Sequence, residues 1–185
     1  MALHRINTPL TDEVIRKLRS GDEVMLSGII FTARDAAHKR MIQLLKNGEE
    51  LPVDLRGQII YYVGPCPAKP GHVIGSAGPT TAYRMDLFTP SMLEYGIKGT
   101  IGKGPRRSMV REACSKYGAV YLAGIGGASA LLAKAVKKSE VVAYEDLGTE
   151  AIRRLEVEDF PLTVAYDVHG GDVYSEGIAK YAEGI

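Results

Sequence analysis

Short apolar runs and longer amphipathic runs alternate along the chain, and the two patterns predict strands and helices in turn. Apolar runs rich in β-branched residues are typical of buried strands, and apolar positions spaced three or four residues apart are typical of helices. The pattern predicts strands within residues 23–33, 57–65, 71–79, 97–104, 140–148 and 161–174. It predicts helices within residues 10–22, 32–49, 91–96 and 108–118, and a strand, a glycine turn and a helix within 119–138.

Capping residues predict the limits of the first two helices. Thr11 can accept a hydrogen bond at the start of the first helix, and Gly21 is a stop signal after it. Thr32 and Asp35 have the spacing of a capping box, which predicts that Thr32 starts the second helix. Gly48 is expected to end that helix.

The last part of the chain is dominated by strand signals. Gly170-Gly171 tolerates positive φ at both positions, so it predicts a two-residue hairpin turn within residues 161–174. Because strands and helices alternate in the middle and strands dominate the end, the sequence predicts an α/β fold with a mixed sheet. We expect a single domain over residues 1–185, since the chain has no internal repeat and no low-complexity linker.

Composition and charge exclude several classes of partner. The 185 residues are 45% hydrophobic, and 23 basic and 22 acidic side chains leave a net charge of +1. No field of one sign attracts nucleic acid or an acidic membrane, so we expect neither partner. No apolar run approaches the roughly 18 residues of a membrane span. The polar start of the chain argues against a secretory signal, which predicts a cytoplasmic protein.

The cysteine content limits metal chemistry. Cys66 and Cys114 are 48 positions apart, and neither belongs to a C-x-x-C motif or to a histidine pattern that completes a zinc site. Scarce cysteine indicates a reducing compartment. Two cysteines also cannot supply the mostly thiolate ligand set of an iron–sulfur cluster. We therefore expect no metal site in this chain.

Three cationic residues lie at predicted strand ends or in loops, where α/β folds build their sites. Arg34 follows a predicted strand, Arg84 lies in a threonine-rich loop, and Lys103 lies between two glycines after another predicted strand. Arginine binds a carboxylate with two parallel hydrogen bonds, and lysine adds a point charge. This set suits a small dicarboxylate; the alternative is that each residue is a solvated surface charge.

Two glycine-rich segments resemble phosphate-binding motifs incompletely. In "GKGPRRS" the lysine lies between the glycines, which is not the order of a P-loop. In "AGIGGAS" Ser129 occupies the position of the third small residue of a dinucleotide fingerprint. Tight packing of a helix on a strand is the favoured interpretation of "AGIGGAS", and a nucleotide site is the alternative.

Two histidines and one aspartate have structural alternatives to a catalytic role. His38 lies on a helix, where a polar face or a local hydrogen bond is the simple interpretation. His169 precedes the predicted turn and is expected to stabilise it. Asp86 can orient Arg84 or can cap the helix predicted at 91–96. The sequence does not choose between these two roles.

Five blocks occur along the chain in this order: "TARDAAHKR", "GPTTAYRMD", "IGKGPRRS", "LAGIGG" and "YEDLGTEAIRRLEVEDFPLTVAYDVHGGD". Together they resemble the beta subunit, or C-terminal domain, of the iron–sulfur-dependent hydro-lyases, namely class I fumarase and L-tartrate dehydratase. The resemblance extends from about residue 8 to residue 175. It implies the swivelling β/β/α type of domain, a mixed sheet flanked by helices.

The resemblance implies a reaction and a division of labour between subunits. The family adds water reversibly across a carbon–carbon double bond, with a [4Fe–4S] cluster as Lewis acid. Three cysteines of a partner alpha subunit hold that cluster. By resemblance, Arg34 and Arg84 bind substrate carboxylates and Lys103 is a cationic substrate contact. Thr80 resembles the proton-abstracting base, which works with an aspartate of the other subunit.

Departures from the family pattern affect the substrate. "KGPRRS" has proline and an extra arginine where fumarase-like sequences commonly read "KGNRS", so the roles of Arg106 and Arg107 stay open. Tyr83 stands where a glycine is common. Tartrate enzymes tend to "GKGGM" in this block, which favours fumarate. The alternatives are a tartrate dehydratase subunit, a non-catalytic module that binds a small anion or a partner, and a stand-alone nucleotide binder. The isolated chain is also a candidate homodimer.

Overall fold

A mixed seven-stranded sheet forms the centre of the protein in the computed structural model, which describes residues 1–125 and 127–182. The strands are β1 (Leu3–Asn7), β2 (Glu23–Thr32), β3 (Ile59–Tyr61), β4 (Gly99–Gly102), β5 (Val120–Ala123), β6 (Val136–Ala143) and β7 (Ile152–Tyr166). Their order across the sheet is β1-β2-β3-β4-β5-β7-β6, with a further pairing of β2 with β7.

Within the described residues, six α-helices connect or follow these strands. They are α1 (Asp12–Lys17), α2 (Asp35–Lys46), α3 (Thr89–Tyr95), α4 (Ser108–Tyr117), α5 (Ser129–Ala135) and α6 (Val173–Tyr181). Two 3₁₀ segments, Ala82–Met85 and Glu145–Glu150, complete the pattern. None of the helices described here is long and apolar enough to cross a membrane.

The central strands form a closed ring of pairings. The pairs β2–β3, β3–β4 and β4–β5 are parallel, so the carboxyl ends of these four strands lie at one end of the sheet. Strand β7 runs antiparallel to both β2 and β5, and it closes the ring. Its first residues therefore lie at the same end as the carboxyl end of β2, where Phe31 pairs with Arg154.

Helices cover both faces of the sheet. On one face, α1 and α5 contribute Ile15 and Leu132 to a buried cluster that includes Tyr61 and Phe160. On the other face, α2, α3 and α4 pack against the alternate strand residues through a second cluster. Its helical members include Met41, Met92, Val110 and Cys114. Two apolar layers around a mixed sheet confirm the predicted α/β fold.

Local signals placed most helices and strands correctly. Thr11 is the N-cap of α1, and its hydroxyl accepts a hydrogen bond from the Val14 N–H at 3.3 Å. Helix α4 ends at Gly118, whose φ of 64° suits a residue without a Cβ. The predicted helix at 91–96 is present as α3, and the strand–turn–helix pattern of 119–138 is present as β5 and α5.

Two predicted elements and one predicted helix start were wrong, and one strand was not predicted. Thr32 is the last residue of β2 and does not start the second helix, whose N-cap is Arg34. Residues 71–79 form an irregular loop, because their backbone bonds to the preceding loop and not to a neighbouring strand, as in the Cys66 N–H to Ser76 carbonyl hydrogen bond. The hairpin predicted at 161–174 is one long strand followed by α6, which Asp172 caps by accepting from Tyr174 N–H. Strand β1 was not predicted, since its sequence is mostly polar.

Candidate active site

The four residues predicted to form a site lie at the carboxyl ends of parallel strands. Arg34 follows β2, and Lys103 follows β4. Thr80 and Arg84 belong to the long connection between β3 and β4, which crosses this end of the sheet. Ligands commonly bind at the carboxyl ends of parallel strands in α/β folds, where loops from several strands converge.

The backbone of Thr80 joins β3 to β4 beyond their last paired residues. Thr80 N–H donates to the Tyr62 carbonyl at 2.8 Å, and Lys103 N–H donates to the Thr80 carbonyl at 3.1 Å. Gly102 makes this approach possible, because a Cβ there would lie 2.7 Å from the Cβ of Ala82. The half-buried Thr80 is thus hydrogen-bonded directly to Lys103.

Arg84 pairs with Asp35, the first residue of α2. Its Nη2 lies 2.8 Å from Asp35 Oδ2, and its Nε donates to Oδ1 at 3.2 Å. This contact brings the 3₁₀ segment Ala82–Met85 to the carboxyl end of β2, next to Arg34. The neighbouring Tyr83 is 55% exposed, so its ring lies largely at the surface.

Within the part of the chain that the structure describes, Arg34 has one long ion pair and one unpartnered nitrogen. Its Nη2 lies 3.5 Å from Glu150 Oε1, a distance typical of an ion pair and too long for a strong hydrogen bond. Its Nε is buried and has no hydrogen-bond partner among the described residues. A buried donor without a partner is costly, which indicates that a further acceptor belongs at this position.

Lys103 is exposed, and its ammonium forms no ion pair within the part of the chain that the structure describes. Its backbone is held on both sides, since its carbonyl accepts from Ala82 N–H at 2.9 Å. A fixed backbone with an open ammonium can direct positive charge at an incoming anion.

Asp86 has neither of the two roles considered from the sequence. Its carboxylate is fully buried and accepts hydrogen bonds from Arg106 Nε at 2.6 Å and from Arg107 N–H at 2.9 Å. It does not orient Arg84, whose partner is Asp35. Nor does it cap α3, because that helix begins at Thr89 without a side-chain cap.

Arg106 is a structural residue that the sequence left unassigned. Its guanidinium lies 5.2 Å from the ring centroid of Tyr62 and 5.1 Å from that of Tyr121. Its Nη2 donates to Thr89 Oγ1 at 2.6 Å. Burial opposes its charge, but the surrounding Tyr62, Asp86 and Tyr121 raise the pKa of Arg106, so it stays cationic. Arg106 is buried and the adjacent Arg107 is exposed, and nothing in the local sequence "PRRS" distinguishes the two.

Both histidines with predicted structural roles bond to backbone carbonyls. His38 is fully buried on α2, and its Nδ1–H donates to the Arg34 carbonyl at 2.8 Å. Burial lowers the pKa of His38 to about 4, outweighing that hydrogen bond, so the ring is neutral near pH 7. His169 Nε2–H donates to the Arg16 carbonyl at 3.0 Å, so this side chain joins the loop after β7 to α1 and does not stabilise the predicted hairpin turn.

The segment "AGIGGAS" makes the contacts that tight packing predicts. Ser129 at the start of α5 lies directly against Gly78, and a Cβ on Gly124 would lie 3.2 Å from Pro79. These contacts hold the loop that precedes Thr80. Gly126, part of the same segment, lies outside the described residues.

None of the four candidate residues is fully buried: Arg34 and Thr80 are half-buried, and Arg84 and Lys103 are exposed. Three cavities lie elsewhere, with volumes of about 450, 280 and 700 Å³. The first is near Lys98 and Gly118, at the amino ends of β4 and β5, and the third lies between the Cys66–Ser76 loop and α5. None of the three is lined by Arg34, Thr80, Arg84 or Lys103.

The described residues do not fit an iron–sulfur cluster. Cys66 is exposed, whereas Cys114 is buried in the core, and burial raises the pKa of its thiol to about 12. A thiol with that pKa does not readily become the thiolate that a cluster needs. Over residues 1–125 and 127–182, no group of three or more His, Cys, Asp or Glu side chains is placed to hold a metal ion.

The fold and site define a class: an α/β domain with a mixed sheet that carries basic side chains at the carboxyl ends of its parallel strands. Residues 2–177 match the model of one protein family, described as the Fumarase C-terminus. The chain therefore belongs to this family, and the resemblance read from its five sequence blocks is confirmed.

Curated relatives divide into long and short proteins. "Fumarate hydratase 2" of Leishmania major is 42% identical over 161 residues, which cover 86% of this chain and 28% of that protein. "Fumarate hydratase class I, anaerobic" of Escherichia coli is 38% identical over 95% of this chain and 33% of that protein. The chain thus spans about a third of these hydratases.

A short relative has nearly the same length as this chain. A Methanocaldococcus jannaschii protein, provisionally named as the beta subunit of L(+)-tartrate dehydratase, is 43% identical over 180 residues. The match covers 94% of this chain and 92% of that protein. The family therefore occurs both as part of a longer polypeptide and as a separate chain.

Proposed function

We propose that this chain, as one domain over residues 1–185, is the beta subunit of a two-subunit fumarate hydratase. The enzyme is a hydro-lyase that hydrates fumarate reversibly to malate, and we assign it to the cytoplasm. One observation carries the proposal: Arg34 keeps a buried guanidinium nitrogen without a partner at the same sheet end as Thr80 and Lys103. The names of the long relatives support the choice of reaction.

The cationic residues are proposed to bind the two carboxylates of the substrate. Arg34 offers the unpartnered Nε and a guanidinium plane that matches a carboxylate. Lys103 adds an exposed ammonium next to Thr80. Arg84 would bind while Asp35 still holds its guanidinium from one side, since arginine has five N–H donors.

Thr80 is proposed to act on the proton, as the resemblance implies. A free hydroxyl is a very weak base near neutral pH, so its alkoxide needs strong stabilisation by nearby cations in a dry cavity. The backbone hydrogen bond from Lys103 N–H to the Thr80 carbonyl holds the two residues side by side, and the lysine ammonium is proposed to supply this charge. A second protein surface is proposed to cover these partly exposed residues and to exclude water from the site.

The proposed partner is an alpha subunit that holds the [4Fe–4S] cluster with its own cysteines. The described residues of this chain do not fit a cluster, and the short archaeal relative is named as a beta subunit. The complete site would then lie between the two subunits. This division accounts for the exposure of Arg84 and Lys103 in this chain.

Reconstitution with the alpha subunit tests the proposed function. The purified chain, the alpha subunit and their mixture are incubated anaerobically with iron and sulfide, and the loss of fumarate absorbance is followed. We expect turnover only in the mixture. Hydration of fumarate by the isolated, metal-free chain would overturn the proposal, as would an inactive mixture that contains an intact cluster.

A specific observation favours L-tartrate dehydratase as the second candidate. The archaeal relative that matches this chain over nearly its full length has that provisional name. The same reconstituted mixture distinguishes the two, because it is assayed with fumarate and with L-tartrate in parallel. Turnover of tartrate without turnover of fumarate would assign the second function.

A further inference from the structure

The strand register brings Glu150 to the carboxyl end of β2. Thr32, the last residue of β2, donates its hydroxyl to the Ala151 carbonyl at 3.1 Å and accepts from Arg153 N–H at 3.0 Å. The start of β7 is thereby fixed beside the end of β2. Glu150 is the residue before Ala151, and Arg34 is two residues after Thr32. These contacts therefore bring Glu150 close to Arg34.

The two carboxylate oxygens of Glu150 contact two different parts of the candidate site. Oε2 accepts a hydrogen bond from Ala36 N–H at 2.9 Å, in the first turn of α2. Oε1 lies 3.5 Å from Arg34 Nη2. Helix α2 has no side-chain cap of its own at Arg34, so a carboxylate from the far end of the sequence replaces that cap.

The other contacts of Arg34 hold its backbone and one side of its guanidinium, so the direction of the guanidinium depends on Glu150. Gly64 forms the floor, because a Cβ there would lie 2.6 Å from Arg34 Nη1. The Arg34 backbone is anchored by His38, which bonds to the Arg34 carbonyl through both its N–H and its ring. Among the described residues, Glu150 is the one carboxylate that forms an ion pair with this guanidinium.

We infer that Glu150 is a positioning residue for substrate binding: it holds the Arg34 guanidinium over Gly64 in the direction that receives a substrate carboxylate. The inference deepens the proposed function and rests on it. Since Glu150 acts through Arg34 and does not contact the substrate, its removal should weaken substrate binding without removing a reacting group. Its second oxygen keeps α2 and Arg34 in a fixed relation.

Glu150→Gln separates the two contacts. The glutamine amide oxygen can still accept from Ala36 N–H, so the cap of α2 is kept, while the negative charge opposite Arg34 is lost. Glu145→Gln is the matched control, because Glu145 is an exposed residue of the same 3₁₀ segment. Both variants change the net charge of the chain equally.

The first test observes Arg34 without any need for activity. The Nε–H signal of Arg34 in the ¹⁵N-labelled chain is assigned by its loss in Arg34→Lys, and its exchange with water is measured. We expect exchange in Glu150→Gln to be about ten-fold faster than in the wild type, with Glu145→Gln unchanged. An unchanged rate in Glu150→Gln would overturn the inference.

The second test uses the reconstituted complex and a double-mutant cycle. In Glu150→Gln we expect KM for fumarate to rise about ten-fold with kcat within about two-fold, because a contact made equally in ground and transition states is weakened. In an Arg34→Lys background the same change should have little further effect. A purely structural role would lower kcat at constant KM; that result, or equal effects in both backgrounds, contradicts the inference.

The two tests fail separately. If the wild-type complex does not hydrate fumarate or tartrate, the proposed function fails, while the exchange rate of the Arg34 Nε–H still decides whether Glu150 positions the guanidinium. If the wild type is active and Glu150→Gln matches it in both KM and Arg34 exchange, the proposed function stands and the inference fails.

Discussion

Arg84 and Asp35 form an ion pair across the carboxyl end of the sheet, with 2.8 Å between Nη2 and Oδ2. The pair joins the β3–β4 connection to the first turn of α2. An arginine held by a carboxylate on one side can present its remaining donors in a fixed direction. The pair also places Arg84 within the same group of residues as Arg34, because Asp35 is its neighbour in the chain.

Arg84→Ala should abolish most activity and leave the fold intact. Removing a carboxylate contact in a desolvated site typically costs about 2–5 kcal/mol, and we expect kcat/KM of the reconstituted complex to fall accordingly. The pair with Asp35 is partly exposed, so the free energy of unfolding should change by no more than about 1 kcal/mol. Arg56→Ala, which removes an exposed arginine, is the control. A wild-type kcat/KM in Arg84→Ala contradicts the assignment.

Thr80→Val tests the proposed proton transfer. Valine keeps the shape and both backbone hydrogen bonds of Thr80 but lacks the hydroxyl. We expect kcat to fall about 100-fold or more with a small change in KM, and Thr80→Ser to recover much of it. Thr81→Val is the matched control on the adjacent residue. If Thr81→Val loses kcat and Thr80→Val does not, the role belongs to the other threonine.

Gly64→Ala should displace Arg34 without unfolding the protein. The new Cβ would lie 2.6 Å from Arg34 Nη1, which is the flexible end of a side chain and can move away. Because displacement of a substrate-positioning group by about 1 Å can cost 100-fold, we expect kcat/KM to fall by about 10-fold to 100-fold. Gly177→Ala, on α6 with open space around it, should have no effect. Equal kcat/KM in Gly64→Ala and Gly177→Ala would contradict the prediction.

Asp86→Ala should destabilise the fold severely. Breaking a buried ion pair leaves an uncompensated charge, and the free energy of unfolding should fall by about 3–5 kcal/mol. Urea denaturation of the isolated chain measures this change. In the control Asp54→Ala, the lost partner is the exposed Arg56, so we expect about 1 kcal/mol or less. A similar decrease in the free energy of unfolding in Asp86→Ala and Asp54→Ala would contradict the prediction.

His38 should make stability depend on pH in mildly acidic solution. Its pKa is lowered by burial from 6.5 to about 4, so between these values the unfolded chain binds a proton that the folded chain does not. The free energy of unfolding therefore falls as the pH falls, by about 2 kcal/mol between about pH 7.5 and pH 5. His38→Gln should flatten this dependence, whereas His72→Gln, at an exposed position, should not. Denaturant titrations at several pH values check this.

Elements with local signals were predictable from the sequence. The cap of α1 at Thr11, the stop of α4 at Gly118 and the buried strand β3 depend on residues that are close together in the chain. The strand predicted within residues 71–79 was wrong because this short apolar run lies in a loop that packs against α5 and has no partner strand. Apolar periodicity reports burial, and burial alone does not specify strand pairing.

The sequence by itself determined the types of site residue, their places at strand ends and, through five ordered blocks, the family. The tertiary structure alone decided the ionic partners: Asp35 for Arg84, Glu150 for Arg34, and Asp86 for the buried Arg106. These partners lie between 20 and 116 positions apart. Each choice depends on strand register and helix packing, because a charge pairs with the opposite charge that the fold brings within a few ångströms, wherever that charge lies in the chain.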